Sequence, residues 1–148
     1  MKKYAFFTII LMTIVVFSTE LKICYLNEDL LPVVKVIEAK ENPVLEIFEA
    51  LSSPPPELRS FVPQNVLRAY FFVGDYLILD LYGEKLKGMD FEAERYFLHQ
   101  TLYTIFLNVK GVNNVYILVD GKRRGVLVKH VDIRFSFPRE VWEKWPIH

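Results

Sequence analysis

One stretch of the sequence sets an acidic residue beside a run of basic ones, which raises the question of a catalytic carboxylate with basic helpers. Asp120 and Gly121 follow an apolar run, and three positive charges come next: Lys122, Arg123 and Arg124. Asp-Gly after an apolar strand is a strong turn signal, because Asp tolerates left-handed backbone geometry and Gly adopts positive φ freely. We therefore expect Asp120 to be a turn residue and the basic run to be a solvated hairpin tip.

Other residue types that could do chemistry lack a supporting pattern. His99, His130 and His148 are too scattered to form a metal site by local spacing, and no Cys pair or Glu-x-x-His pattern accompanies them. No Ser lies in a Gly-x-Ser-x-Gly elbow, and Cys24 has no obvious base beside it. The sequence thus predicts no metal site, no cofactor and no nucleophilic catalysis.

Paired carboxylates are the remaining catalytic option, since a glycosidase of the cell wall would need two of them. Asp75 belongs to a Gly-Asp turn. Asp80 is expected to lie beside Arg68, and Asp132 falls in the last predicted strand. Each carboxylate therefore has a structural explanation. The protein is predicted not to be an enzyme and to have no catalytic residue, with a small wall hydrolase as the remote alternative.

The composition favours a compact domain without a polyanionic ligand. The 148 residues are 52% hydrophobic and include 12 Phe and 8 Tyr, which is enough for a packed core in one domain. The 18 basic residues are balanced by 18 acidic ones, and no basic stripe interleaved with aromatic residues occurs. Nucleic acid is therefore not an expected partner.

The first 19 residues have the layout of an export signal, which predicts an extracytoplasmic protein of the cell envelope or a secreted one. Lys2 and Lys3 precede an uncharged apolar run, Tyr4–Phe17, and small polar residues follow it. The run is shorter than the ~20 residues that a helix needs to cross a bilayer, so a cleaved signal is favoured over a retained membrane anchor. The residues before Cys24 read LKI rather than the small residues of a lipidation site, so we expect an unmodified Cys inside a strand.

Hydrophobic periodicity predicts two strands and a helix in the first third of the chain. Alternating apolar residues from Leu21 and a second run ending at Ala39 predict strands around a turn at Asn27–Asp29. Asn42 and Pro43 suit a helix start, and three prolines from position 54 end the helix. Its apolar residues recur at i, i+3, i+4 and i+7: Val44, Ile47, Phe48 and Leu51.

A hairpin with two apolar faces is predicted next, joined at the Gly74-Asp75 turn. If Val73 faces Tyr76, the side chains divide by alternation. One face then carries Tyr70, Phe72, Leu77, Leu79 and Leu81, and the other carries Leu67, Ala69, Phe71, Ile78 and Asp80. Neither face is polar, so the second is expected to be covered by another element or left as a sticky surface.

A long helix is predicted between Asp90, its cap, and Gly111, its stop. A spacing of ~100° per residue gives its expected core stripe: Phe91, Leu98, Leu102, Ile105 and Val109. A second apolar group lies roughly a third of a turn away and is expected to meet the first helix or a partner: Tyr96, Tyr103 and Leu107.

A second hairpin and a short tail are predicted at the C-terminus. The β-rich runs NNVYILVDG and GVLVKHVDI flank the basic turn. The tail carries Trp142 and Trp145, which are expected either to fold back on the core or to rest on something external. The elements together predict an α+β domain with one mixed or antiparallel β-sheet and two α-helices packed on one face.

Four motifs in this order resemble a known family: SSPPPELRSFVPQNV, LDLYGEKL, HQTLYTIFLNVKGVNNVYILVDGK and VKHVDIRFSF. They are similar to those of the GerMN domain, also called the sporulation and spore germination domain, of exported bacterial envelope proteins. The resemblance covers about residues 30–137. Tyr82 stands where that family more often has a serine. The implied organisation is a signal peptide or anchor at 1–19, a GerMN-like domain at 20–137 and a tail at 138–148.

The resemblance implies a non-catalytic envelope module, with sporulation, germination or envelope assembly as its setting. The aromatic surface exceeds what one layer of helices can cover, so we expect a protein-interaction or scaffold role with another envelope protein as partner. The candidate interaction surface is Phe71, Tyr76, Tyr96, Tyr103 and Leu107. The alternative is contact with cell-wall polymer or a membrane surface rich in anionic lipid; its candidate residues are Lys122, Arg123, Arg124, Trp142 and Trp145.

Overall fold

The computed structural model describes residues 19–145, and residues 1–18 of the predicted export signal and residues 146–148 of the tail lie outside them. The elements in chain order are β1 (Thr19–Leu26), β2 (Pro32–Ala39), α1 (Pro43–Leu51), β3 (Leu67–Val73), β4 (Tyr76–Leu81), α2 (Gly83–Leu86), α3 (Phe91–Asn108), β5 (Asn114–Val119), β6 (Phe137–Pro138) and α4 (Arg139–Trp142). The predicted α+β class and its two main helices, α1 and α3, are confirmed. Within the described range, no helix has the length and hydropathy to span a bilayer.

The strands form two sheets rather than the single sheet that was predicted. β1 and β2 make an antiparallel pair of their own. The second sheet has the order β3-β4-β5-β6, in which β4 and β5 run parallel and the other neighbours antiparallel. Helix α3 contacts β1, α1 and α4.

Three polar side chains at every fourth position of α3 close the outer edge of β1. Asn108 accepts the backbone N–H of Lys22 at 2.7 Å and donates to its carbonyl at 2.8 Å. Thr104 accepts the N–H of Cys24 at 3.2 Å, and Gln100 donates to the Cys24 carbonyl at 3.0 Å. Because backbone groups at a sheet edge must find partners, the helix side chains take the place of a further strand.

The start of α1 is fixed by side-chain capping, as its sequence predicted. Asn42 accepts the N–H of Leu45 at 3.2 Å, and Pro43 opens the helix. The carboxylate of Glu46 reaches back to the N–H groups of residues 40, 41 and 42 at 2.8, 2.8 and 3.0 Å. The four predicted apolar residues of α1 are all buried: Val44, Ile47, Phe48 and Leu51.

The core stripe predicted for α3 is confirmed except at its first residue, and Val109 at its end is half-buried against the core. Leu98, Leu102 and Ile105 are buried, whereas Phe91 is 55% exposed and meets His130 edge to face at 5.8 Å. Burial also extends around the helix, to residues outside the stripe: Glu94, Phe97, Gln100, Thr101, Thr104 and Phe106. The stripe was too narrow because α3 packs against elements on more than one side.

The second run of the predicted C-terminal hairpin is not a strand. Residues 125–133 form a loop. Two backbone hydrogen bonds close it: the N–H of Leu127 donates to the carbonyl of Val131 at 2.9 Å, and the N–H of Ile133 donates to the carbonyl of Gly125 at 3.1 Å. Strand β5 pairs instead with the two-residue β6. The loop is held by a buried carboxylate on α3, described below.

Candidate interaction surface

The outer face of the four-stranded sheet carries an apolar surface. Cross-strand partners place side chains in rows on this face, Val73 beside Tyr76 and Phe71 beside Ile78. Phe71 is 52%, Val73 58% and Tyr76 40% exposed, so no described element covers this part of the sheet. We call this surface the outer sheet face, and it consists of Phe71, Val73, Tyr76, Ile78, Tyr116 and Leu118.

Two backbone features decide which side chains reach the outer sheet face. Gly74 has φ 60° at the first position of the Gly74-Asp75 turn, and this turn sets the predicted pairing of Val73 with Tyr76. A β-bulge between Leu67 and Ala69 then shifts the register. Leu67 consequently pairs with buried Leu81 and packs on the core side, so its predicted place on the face of Phe71 was wrong.

Asp80 lies in a row with Leu118 at one end of this face but is only 2% exposed. One carboxylate oxygen contacts the guanidinium of Arg68, as the sequence suggested, and the other accepts the N–H of Gly121 at 2.8 Å. A carboxylate with both oxygens engaged in this way is a structural ion pair that joins β3 to the basic turn.

Asp120 is a turn residue, as predicted. It has φ 54° and Gly121 has φ 73°, and Val119 and Lys122 exchange hydrogen bonds of 3.0 and 3.1 Å across the turn. The Asp120 carboxylate accepts the N–H of Gly83 at 2.9 Å and pairs with Arg124 at 3.2 Å. It therefore caps α2 from outside, at a helix start where Tyr82 gives no side-chain cap.

A surface groove of about 690 Å³ runs beside α2 and has charged residues on its walls: Glu84, Lys87, Asp120 and Arg124. Asp120 is already engaged by Gly83 and Arg124.

Elsewhere, Asp132 pairs with Arg134, whose hydrogen bonds lower the pKa of the Asp132 carboxyl. Across residues 19–145, no three His, Cys, Asp or Glu side chains are grouped to hold a metal ion.

The predicted polymer or lipid site is divided in the structure. Lys122, Arg123 and Arg124 are exposed at the turn, where Arg123 donates to the Tyr116 hydroxyl at 2.9 Å. The tail folds back on α3 instead: Trp142 lies 4.7 Å and Trp145 5.8 Å from the His99 ring, centroid to centroid. Burial among these rings, and the charge of nearby Arg95, lower the pKa of His99.

The predicted protein surface is divided as well. Phe71 and Tyr76 lie on the outer sheet face, whereas the other three candidates are half-buried on α3: Tyr96, Tyr103 and Leu107. Tyr96 stacks on Phe61 at 5.2 Å, and Tyr103 meets Trp145 at 5.6 Å. The second stripe of α3 is therefore partly covered by a loop and by the tail.

Glu94 is the buried charge that sequence reasoning missed. Its carboxylate is fully buried and accepts the backbone N–H groups of residues 128, 129, 130 and 131 at 3.4, 2.9, 3.2 and 3.0 Å. Burial alone would raise the pKa of Glu94, but these hydrogen bonds outweigh it and hold the pKa below its usual value. The available signal was an acidic residue three positions after Phe91 and four before Leu98, on the predicted core stripe.

Cys24 is an inert core residue in the middle of β1, as predicted. It is fully buried, and burial raises the pKa of its thiol to about 12. A protonated, enclosed thiol is a poor nucleophile.

Comparison with known proteins agrees with this fold. The first GerMN domain of the sporulation protein GerM from Bacillus subtilis superposes with a TM-score of 0.69 at 15% identity, covering 83% of this chain and 99% of that one. The tandem GerMN domains of the same protein give 0.70 at 13% identity, and the chain spans 47% of their length. No curated protein matches in sequence. The family model Germane, described as sporulation and spore germination, matches residues 22–125, and the chain therefore belongs to the Germane family.

Proposed function

We propose that this protein is an exported, non-catalytic module of the bacterial cell envelope that binds another envelope protein through its outer sheet face. The observation that carries the proposal is the exposure of Phe71, Val73 and Tyr76 on one side of a hydrogen-bonded sheet. Large apolar side chains grouped on a rigid surface are typical of interaction sites. Export is supported by the signal-like first 19 residues, and a setting in sporulation or germination by the family.

A non-catalytic role is supported by the engagement of the acidic side chains. Asp80 is held by Arg68 and Gly121, and Asp120 by Gly83 and Arg124. Glu94 is enclosed by backbone N–H groups. A general base needs an oxygen free to take a proton from a substrate, and both oxygens of Asp80 and of Asp120 are engaged by other groups of the fold. Turnover of wall fragments by the purified protein, lost on Asp80→Asn, would reverse this assignment.

The test places a photo-crosslinking residue at position 76 in the full chain within its native envelope. We expect one specific protein to be crosslinked, and Phe71→Glu to suppress the product, because a charge on the outer sheet face must be desolvated on binding. Phe135→Glu is the matched control, since Phe135 is 73% exposed but lies outside the outer sheet face. Equal yields from Phe71→Glu and the unaltered chain would refute the proposal.

A second candidate, binding of wall polymer or anionic lipid, is favoured by one observation. The rigid turn presents Lys122, Arg123 and Arg124 to solvent on the same tip. Such binding would be weakened by salt, because exposed charges are screened. Sedimentation with purified sacculi that persists after all three residues are changed to Ser would eliminate it.

A further inference from the structure

The start of the described chain lies at one end of the domain, together with the end of α3. β1 begins at Thr19, whose partner in β2 is Ala39, the last residue of that strand. Three residues further on, the Lys22 backbone is bonded to Asn108, the last residue of α3. The preceding part of the chain therefore joins the domain beside the C-terminus of α3.

The tip of the β3–β4 hairpin lies at this same end. The start of α1, the strand β3 and the end of α3 surround a recess of about 210 Å³. Its walls include Pro43, Tyr70, Phe72, Asn108 and Val109. The carbonyl of Asp75 in the hairpin turn accepts the N–H of Asn113, just after α3, at 2.8 Å. We call this end of the domain the hairpin end.

The hairpin end is apolar at its tip and balanced in charge around it. Phe72 is 54% and Val73 58% exposed, and Tyr76 follows across the turn. The exposed cations near the tip are matched by exposed carboxylates nearby: Lys22, Lys40 and Lys110 against Glu20, Glu41 and Asp75. Attraction to an anionic surface is therefore not what this end offers, whereas apolar insertion is.

The sequence puts an apolar run directly before this end. The run Tyr4–Phe17 stops two residues before Thr19. Two residue steps of at most ~3.6 Å join the run to β1, so whatever receives the run must be close to the start of β1. If the run is retained as a membrane anchor, the alternative to cleavage, the bilayer that receives it must lie next to the hairpin end. The basic tip at 122–124 is at the opposite end of β4 and β5, about 20 Å away at ~3.3 Å per strand residue.

We propose that in the full chain the hairpin end faces a lipid bilayer and that Phe72 and Val73 insert into its interfacial layer, with Tyr76 at the boundary. Tyr76 suits this boundary because its apolar ring and its hydroxyl are both satisfied there. Phe72 and Val73 are purely apolar and gain by leaving water. The inference goes beyond binding of an envelope protein. It shares Val73 and Tyr76 with the outer sheet face and adds Phe72, which pairs with Leu77 on the core side of the sheet.

The experiment uses the full chain reconstituted in phosphatidylcholine vesicles. Val73→Cys is labelled with an environment-sensitive fluorophore, which is selective because the natural cysteine is buried. Lipids with a nitroxide at a shallow or a deep acyl position then report contact. We expect quenching to be stronger with the shallow nitroxide, since interfacial insertion reaches roughly 5–10 Å, and to be unaffected by salt. The same label on Arg123→Cys, at the opposite end, should not be quenched.

Two variants separate lipid contact from a fold defect. Phe72→Glu in the labelled chain should reduce quenching several-fold, because a carboxylate resists transfer from water. Leu31→Glu is the matched control, since Leu31 is 56% exposed in the turn at the far end of β1, and quenching should not change.

Three results would overturn the proposal. The first is a label at position 73 that stays as accessible to water as the one at 123. The second is shielding at 73 that rises with protein concentration but comes without nitroxide quenching. The third is quenching at position 123 instead. None of them bears on the crosslink that Phe71→Glu is expected to suppress, so the two proposals fail separately.

Discussion

The carboxylate of Glu94, in the first turn of α3, accepts the backbone N–H of Val131 at 3.0 Å from a position 37 residues earlier in the chain. Three neighbouring N–H groups point to the same carboxylate. This contact defines the path of residues 128–131. A buried charge that is satisfied by backbone donors costs far less than an unpaired one, so the loop and the carboxylate require each other.

Glu94→Gln should lower the free energy of unfolding by roughly 1–3 kcal/mol. The amide keeps the shape of the side chain but loses the charge-assisted hydrogen bonds, and its NH2 group faces the backbone N–H groups of the loop, which are also donors. Urea denaturation followed by circular dichroism measures the change. Glu92→Gln is the control, since Glu92 is acidic and in the same helical turn but exposed. An unchanged midpoint for Glu94→Gln would show that the loop is held by other contacts.

Stability should fall in acid partly through Glu94. Its pKa is lower in the folded protein than the ~4.3 of an unfolded chain. The stabilisation that ionised Glu94 gives the folded protein is therefore fully present above the pKa of the unfolded chain. It is lost as the pH falls through the pKa of the folded protein. The stability difference between the natural chain and Glu94→Gln should shrink below about pH 4. Glu46 and Asp132 also have lowered pKa values, so the variant should keep some acid sensitivity. A difference constant from neutral pH to acid would contradict this linkage.

Arg139 fastens the tail to the end of α3, and its replacement by Lys should release it. The guanidinium donates to the carbonyls of Phe106, Val109 and Val112 at 2.7, 2.8 and 2.8 Å. An ammonium group cannot serve three carbonyls with this planar geometry, so we expect a loss of about 1–3 kcal/mol. Both tryptophans of the chain are in the tail, so their fluorescence should change as well.

Arg134→Lys supplies the comparison for Arg139. Arg134 pairs only with exposed Asp132 among the hydrogen bonds of the described residues, and exposed pairs contribute about 0–1 kcal/mol. Equal effects of the two substitutions on the urea midpoint would refute a fastening role for Arg139.

Cys24 should resist thiol reagents in the native protein. Its thiol is enclosed in β1 and its pKa is raised to about 12, so almost no thiolate exists at neutral pH. Ellman's reagent should detect no thiol before denaturation and one per chain afterwards, because the sequence has a single cysteine. Arg123→Cys, at an exposed position, should react at once. Fast reaction of the natural chain would mean that β1 opens readily from α3.

Several features could be predicted because they depend on neighbouring residues only. Asp120-Gly121 forms its turn through the backbone preferences of two residues, and Gly74-Asp75 sets the register of β3 and β4 in the same way. The cap of α1 by Asn42 and the burial of its apolar stripe follow from spacing within nine residues. The motifs that resemble the GerMN domain are also local, and the family match agrees with them.

The sequence by itself therefore determined the turns, the helix caps, most strand positions and the pairing of apolar residues between β3 and β4. Only the tertiary structure decided that Asn108, Thr104 and Gln100 close the edge of β1, which divides the strands into two sheets. It also decided that Glu94 captures the N–H groups of a run that alternates like a strand. The physical reason is that a backbone N–H accepts a partner of any origin, and side chains distant in sequence compete for it with a neighbouring strand.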